Sequence, residues 1–438
     1  MSDTYTPSSL NRRSVSNPDC QFDLKDPALH IRPDLDEIYR LLRLETPVHW
    51  IPEVNGPGFW ACLGHAASTE VLKRPDVFSA DFRLGGMRIF DAQSVIASPR
   101  PFLLSMDPPE HGKLRRQIRD FFEPSVVEAA LPRIQERTNR LVAKVAQYGQ
   151  ADFVAEIAAP LSNYLLTDFL EVPQDQGRRL AKWANIMMGD DDPDLQLDPI
   201  ARQAEMQEFD QYFLSLLGRD IGMMSDTVLK RISEAEFEGC PLDTESILTN
   251  AAAFIIAASE TTRHAMAGMM VAFTKFPQEW GKLMADRSLI PIAVKEIVRW
   301  TSPLKHVRRT ATTHYELAGV EIRKGEKVVV WYDAANRDEM VWPDANKFCV
   351  ERYQQKGCPM HLGFGSGVHH CLGWRFAEIE ITALLNALLD VLPDIKVTAN
   401  PDMIVSNFVR GYKRLPVQFE RRPGPYGISV SNTSHTNL

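Results

Sequence analysis

The sequence predicts a mainly α fold with small β-sheets, an α+β architecture, and three observations predict it. Helical periodicity is nearly continuous from about residue 115 to about residue 290. Short β-like regions lie on either side of that stretch, so their strands have to meet in one mixed unit rather than in separate domains. A last apolar helix over about Leu372 to Leu392 is stopped by Pro393, which cannot continue a helical hydrogen-bond ladder.

Taken in order, the first β-like pieces are Val48-His49-Trp50 and Gly58 to Leu63, separated by the turn Asn55-Gly56-Pro57. The helical stretch is broken at Pro173 and at Gly189 to Pro193. Its central helix runs from about Ser246 to Phe276 and is apolar through most of its length. Tyr315-Glu316-Leu317 and Val328 to Trp331 are the later β-like pieces. No linker or repeat interrupts the chain between two polar tails, residues 1–20 and 422–438, which leaves 21–421 as the folded unit.

Composition excludes several functions. With 49 Lys+Arg against 57 Asp+Glu, the net charge of −8 disfavours nucleic acid, whose phosphates need a surplus of cations. The longest apolar run, Ala251 to Ala258, falls well short of the roughly 20 residues of a membrane span. The start, Met1-Ser2-Asp3-Thr4-Tyr5, lacks the basic and apolar regions of a secretory signal, so Asn432-Thr433-Ser434 is no glycosylation site. Six cysteines without a C-x-x-C pair suit a reducing, cytoplasmic setting.

One cysteine stands apart. Gly363, Gly365 and Gly367 crowd a short loop before Cys371, and an apolar helix follows it. Glycines let a backbone turn sharply and approach a flat ligand closely. A thiol at a helix N-terminus is expected to have a lowered pKa. Phosphate cradling, the other use of such a loop, lacks the Lys-Ser/Thr that should follow. The pattern Phe364-Gly365-x-Gly367-x-His369-x-Cys371-x-Gly373 resembles the haem-binding signature of the cytochrome P450 family at every defined position. The resemblance implies a single large triangular domain holding haem b, with Cys371 as the axial thiolate on iron, Phe364 shielding the sulfur and His369 on a haem propionate.

Other stretches fit the same family. Ala257-Ala258-Ser259-Glu260-Thr261-Thr262 is similar to its oxygen-activation segment, which implies that Glu260 and Thr261 guide protons; Ala258 stands where the family usually has Gly. Alone, an acid and a hydroxyl on a helix are as readily a paired charge and a back-bonded Thr. Glu296-x-x-Arg299, an i,i+3 pair, resembles the family's core pair, with Arg352 as the third member of a structural lock. His111 and Arg115, in the segment beginning at Asp107, and Arg309 resemble propionate-binding positions, where a guanidinium fork suits a carboxylate. These motifs span positions 107 to 373 and converge on one cofactor, so one domain is expected.

The family's contact regions nominate a substrate pocket. Met87, Ile89 and Phe90 precede the Pro108-Pro109 segment, and Trp183 and Met187 precede the Gly189 break. Phe254, Ala257 and Ala258 lie on the central helix, Leu304 and Val307 follow the Glu-x-x-Arg helix, and Phe408 and Val409 come near the end. The set is apolar and implies a hydrophobic small molecule: a terpenoid, sterol, branched lipid or other secondary metabolite. No flavin or iron–sulfur motif is present, so the resemblance implies electrons from NAD(P)H through a ferredoxin and its reductase; Lys113, Arg116, Arg119 and Arg375 are either a basic patch that steers the ferredoxin or an ordinary solvated helix face. The expected chemistry is monooxygenation by a monomer. Oxidative coupling on the same haem, a peroxygenase and a non-catalytic haem sensor are the alternatives, and Glu260 with Thr261 argues against the last two.

Overall fold

The fold was obtained as a computed structural model that describes residues 22–53, 56–90, 100–218 and 226–423. The polar tails, save Arg422 and Pro423, lie outside these residues, as do Cys20 and Asn55. Helix α1 (Leu35–Glu45) leads into β1 (Val48–Ile51) and β2 (Phe59–Cys62), then α2 (His65–Lys73) and β3 (Phe78–Ser79). The helical body follows: α3 (Glu110–Arg119), α4 (Pro124–Val145), β4 (Gln150–Asp152), α5 (Ala159–Leu170), α6 (Gly177–Met188) and α7 (Pro199–Gly218). It continues with α8 (Val228–Ser233), the hairpin of β5 (Glu236–Phe237) and β6 (Cys240–Pro241), α9 (Thr244–Lys275), α10 (Pro277–Ala285) and α11 (Ile290–Thr301). Next come β7 (His306–Ala311), β8 (Tyr315–Leu317), β9 (Val320–Ile322), β10 (Lys327–Trp331) and the short α12 (Tyr332–Ala335). Helix α13 (Trp374–Val391) precedes β11 (Lys396–Val397), β12 (Asp402–Met403), β13 (Tyr412–Arg414) and β14 (Pro416–Gln418).

The separated β-like regions do meet. One five-stranded sheet has the order β1-β2-β10-β7-β3, with β2 parallel to β10 and the other neighbours antiparallel. Val328, Val329 and Val330 are buried on both faces of it, as a β-branched run in a central strand should be. A second sheet, β11-β14-β4, joins residues 150–152 to the C-terminal strands. Its strands are two or three residues long, too short for a periodicity signal.

Helix α9 is the axis around which the rest packs. Asp243 caps it by accepting the Ser246 N–H, and Thr262 to Met270 are buried without interruption. The largest apolar cluster joins this half of α9 to α11, α13, the end of α4 and the start of α5. No helix among the described residues is long and apolar enough to cross a membrane.

Candidate active site

The Cys371 loop is built by close backbone approach. The Cys371 N–H donates to the Phe364 carbonyl at 2.8 Å and closes the loop. Gly365 and Gly367 have φ of 69° and 67°, a region where side chains are strained. A Cβ on Gly367 would stand 2.2 Å from the Leu72 carbonyl oxygen of α2, and one on Gly363 would stand 2.6 Å from Val298 of α11. Helix α13 begins at Trp374 with Gly373 as its N-cap, so Cys371 stands ahead of the helix end rather than in it. Here the structure corrects the expected low thiol pKa. Burial pushes the Cys371 thiol up, against a hydrogen bond from the Gly373 N–H and the Arg115 charge. A coordinating metal cation, when bound, would favour the thiolate.

Above the loop, four basic side chains from three elements converge. The His111 ring on α3 lies 4.1 Å from the His369 ring, centroid to centroid. Arg115 of the same helix donates to the His370 carbonyl at 2.7 Å, and Arg309 comes from β7. Burial, then Arg115 and Arg309, push His111 down to about 4; burial and the same two guanidiniums with His111 depress His369. His369 Nε2 is buried without a hydrogen-bond partner. The nearby Asp107 is engaged by Ser79 Oγ at 2.5 Å and the Ala80 N–H at 2.8 Å. An orphaned buried ring nitrogen beside two guanidiniums suits the carboxylates of a ligand. The residues present therefore fit a haem: a thiol below, a glycine cradle under a flat ring, and a basic cluster for its propionates.

Helix α9 supplies the opposite wall. Ala257 is exposed, and Phe254, Ala258 and Thr261 are half-buried, immediately before the fully buried turns. The Thr261 hydroxyl donates to the Ala257 carbonyl at 3.0 Å. Glu260 is buried with Oε2 held by Arg263 and 3.3 Å from His264 Nε2, while Oε1 has no hydrogen-bond partner. Tyr412 N–H donates to His264 Nδ1, which leaves the ring proton on Nε2 facing the acid. Burial opposes ionisation of Glu260, but Arg263 and His264 outweigh it and hold the carboxyl below the usual range. Arg263 also donates to Asn185 Oδ1 of α6 at 2.8 Å. Arg263 and His264 were missed from sequence, although i+3 and i+4 spacing from Glu260 could have found them. Asn185 carries no such signal.

Glu296 and Arg299 form a fully buried two-bond pair, each bond 2.7 Å, and Arg352 Nε joins Glu296 at 3.1 Å. Arg299 also donates to the Asn336, Ala345 and Lys347 carbonyls, which clamps the segment leading to the Cys371 loop. Of the pocket candidates, Met87, Val307, Phe408 and Val409 share one cluster with Leu304 packed against it. Phe254, Ala258 and Met187 pack on another. Three, Ile89, Phe90 and Trp183, are placed elsewhere. Ile89 packs with Ile51, Val329 and Trp331 on the other side of β10, and Trp183 is fully buried against Phe209 and Tyr212 of α7. Phe90 is half-buried on the Ile89 cluster.

A thiol on a glycine cradle beside two guanidiniums and two histidines, together with an acid–hydroxyl turn on the central helix, fits the haem-thiolate class of proteins. Comparison with known proteins agrees. The cytochrome P450 family model matches residues 203–392. Linalool 8-monooxygenase of Pseudomonas putida is 33% identical over 402 residues, 90% of this chain and 98% of that protein. Steroid C26-monooxygenase of Rhodococcus jostii is 32% identical over 412 residues, 92% of this chain and 86% of that protein. Among solved structures, a Mycobacterium marinum cytochrome P450 in complex with pseudoionone superposes with a TM-score of 0.83 and 29% identity, covering 91% of this chain and 98% of that one. The chain belongs to the cytochrome P450 family. It is a monooxygenase whose cofactor is haem iron and whose co-substrate is O2.

Proposed function

We propose that this monooxygenase hydroxylates a mostly hydrophobic small molecule with a branched or isoprenoid skeleton, drawing electrons from NAD(P)H through a ferredoxin and its reductase. The observation that carries the site assignment is a shared cluster. Phe254 of α9 and Leu372, next to Cys371, pack against the same buried residues around Phe122 and Phe376. This brings the helix that carries the acid–hydroxyl turn against the segment that carries the thiol, which supports their sharing one site.

Haem, when bound, supplies an iron that activates O2, with thiolate donation favouring O–O cleavage. Cys371 would hold the iron, and His111, Arg115, Arg309 and His369 would hold the propionates. Phe364, Gly365 and Gly373 shape the loop beneath. The Thr261 proton is committed to the Ala257 carbonyl, so its oxygen accepts a hydrogen bond from a water and orients that water's proton. Glu260 stays ionised with Oε2 fixed by Arg263 and His264, which leaves Oε1 as the oxygen able to accept a hydrogen bond from a proton-carrying water when the turn opens to one. The Glu296–Arg299–Arg352 network fixes the loop so that the sulfur does not wander.

The apolar wall of Met87, Leu304, Val307, Phe408 and Val409 supports a hydrophobic substrate. So does the naming of relatives for linalool and a steroid, and a neighbour solved with pseudoionone. The five described cysteines are all free, which supports a reducing, cytoplasmic setting. Cys371→Ala is the test. It should abolish the red-shifted Soret band of the reduced carbon monoxide complex while the chain stays folded, and an intact band would overturn the ligand assignment.

A further inference from the structure

Arg88 lies where three segments of the pocket wall meet, and among the described residues it has no hydrogen-bond or ion-pair partner. Its guanidinium carbon sits 3.7 Å from the Phe408 ring centroid and 5.6 Å from that of Phe90. Met87 and Phe408 belong to one apolar cluster, against which Met188 at the end of α6 and Leu195 in the break after it also pack. None of its five N–H donors has a hydrogen bond or ion pair among the described residues, and Nε is buried as well. Burial pushes the guanidinium down to about 10, although Asp191 and Asp190 favour its charge. Neither acid is its partner: Asp190 is held by Arg202, and Asp191 is not within ion-pair distance. His306 nearby is neutral, pushed down to about 3 by burial and Arg88, and its Nδ1 faces the Asn407 carbonyl at 2.9 Å.

A partly buried, unpaired guanidinium against aromatic rings is costly unless something compensates it. Among the described residues no anion stands at bonding distance, so an anionic group from outside the chain fits there. We propose that Arg88 receives the carboxylate of an otherwise hydrophobic acid, so that this enzyme takes branched or isoprenoid carboxylic acids with the acid group at Arg88. The planar fork of the guanidinium matches two carboxylate oxygens, and Phe408 stacks beneath it to fix the plane. This deepens the substrate reading given above and rests on it.

The test is a Soret titration of the haem-loaded enzyme with farnesoic acid, methyl farnesoate and farnesol. The acid should bind at least about tenfold more tightly than its ester. Arg88→Ala should erase that gap while leaving farnesol affinity and the carbon monoxide spectrum unchanged, and Arg88→Lys should restore part of it. Equal affinity for acid and ester, or a gap that survives Arg88→Ala, would overturn the assignment while leaving the hydrophobic pocket standing. If none of the three shifts the Soret band, the substrate reading itself fails and the proposal with it.

Discussion

At the scale of single residues, Thr261 separates chemistry from folding more cleanly than any other candidate. Its hydroxyl makes one bond, to the Ala257 carbonyl one turn back, and such back-bonds add little to helix stability. Thr261→Ala should therefore leave haem content and thermal midpoint almost unchanged. Product per electron consumed should fall at least about tenfold, with hydrogen peroxide rising to match. Unaltered coupling would show that protons reach the site without this hydroxyl. Glu260 is the contrasting case. Removing its carboxylate would strand Arg263, buried and tied to α6 through Asn185, so its loss mixes stability with chemistry.

At the scale of elements, the Cys371 loop was legible because its constraints are local. The glycines, His369 and the cysteine lie within one short stretch, each serving a turn, a contact or a ligand. The motif does not reveal how unequal those glycines are. A methyl on Gly367 meets the α2 backbone at 2.2 Å in a left-handed conformation, whereas one on Gly373 meets only the Phe122 ring at 3.8 Å. Gly367→Ala should therefore cost most of the bound haem and depress the thermal midpoint, and Gly373→Ala should be mild, as absorbance ratios and melting curves can check. Equal effects would mean that the loop adjusts as a whole. Legibility fails where partners are distant in sequence or elements are tiny. Asn185 and Arg263 are 78 positions apart, β4 pairs with β14 over three residues, and Trp183 turned out to be core because α7 covers it. Pocket membership depends on which face of a helix or sheet a neighbour occupies, and a single sequence does not encode that directly.

At the scale of the whole molecule, the N-terminal segment is held to the sheet by buried histidines that must stay neutral. His30 stacks on Trp331 with centroids 5.0 Å apart and Nε2 2.8 Å from the Leu24 carbonyl, and His306 flanks the same indole at 4.9 Å. Burial depresses both, His306 to about 3 against an ordinary value of 6.5. As pH falls, the unfolded chain takes up these protons and the native one does not. The stabilisation is thus complete above about pH 6.5 and is lost progressively towards pH 3. The thermal midpoint of the loaded enzyme should fall steadily from pH 8 to pH 5; a flat profile would contradict it. Charge on the opposite side bears on electron supply. The molecule is acidic overall, at −8, yet α3 lies against the Cys371 loop through Arg115 and exposes Lys113, Arg116 and Arg119. Lys113 is paired with Glu110 at 2.5 Å and Arg119 with Glu123 at 3.0 Å, so Arg116 is the exposed α3 cation that the proposed ferredoxin would meet. Arg116→Glu should slow ferredoxin-driven reduction several-fold at low ionic strength, on the order of tenfold, and the difference should shrink as salt screens it. Arg119→Glu should act more weakly, because Glu123 already offsets the charge it removes. Stopped-flow reduction rates measured across a salt series decide it, and equal rates for Arg116→Glu and wild type at low salt would place the docking surface elsewhere.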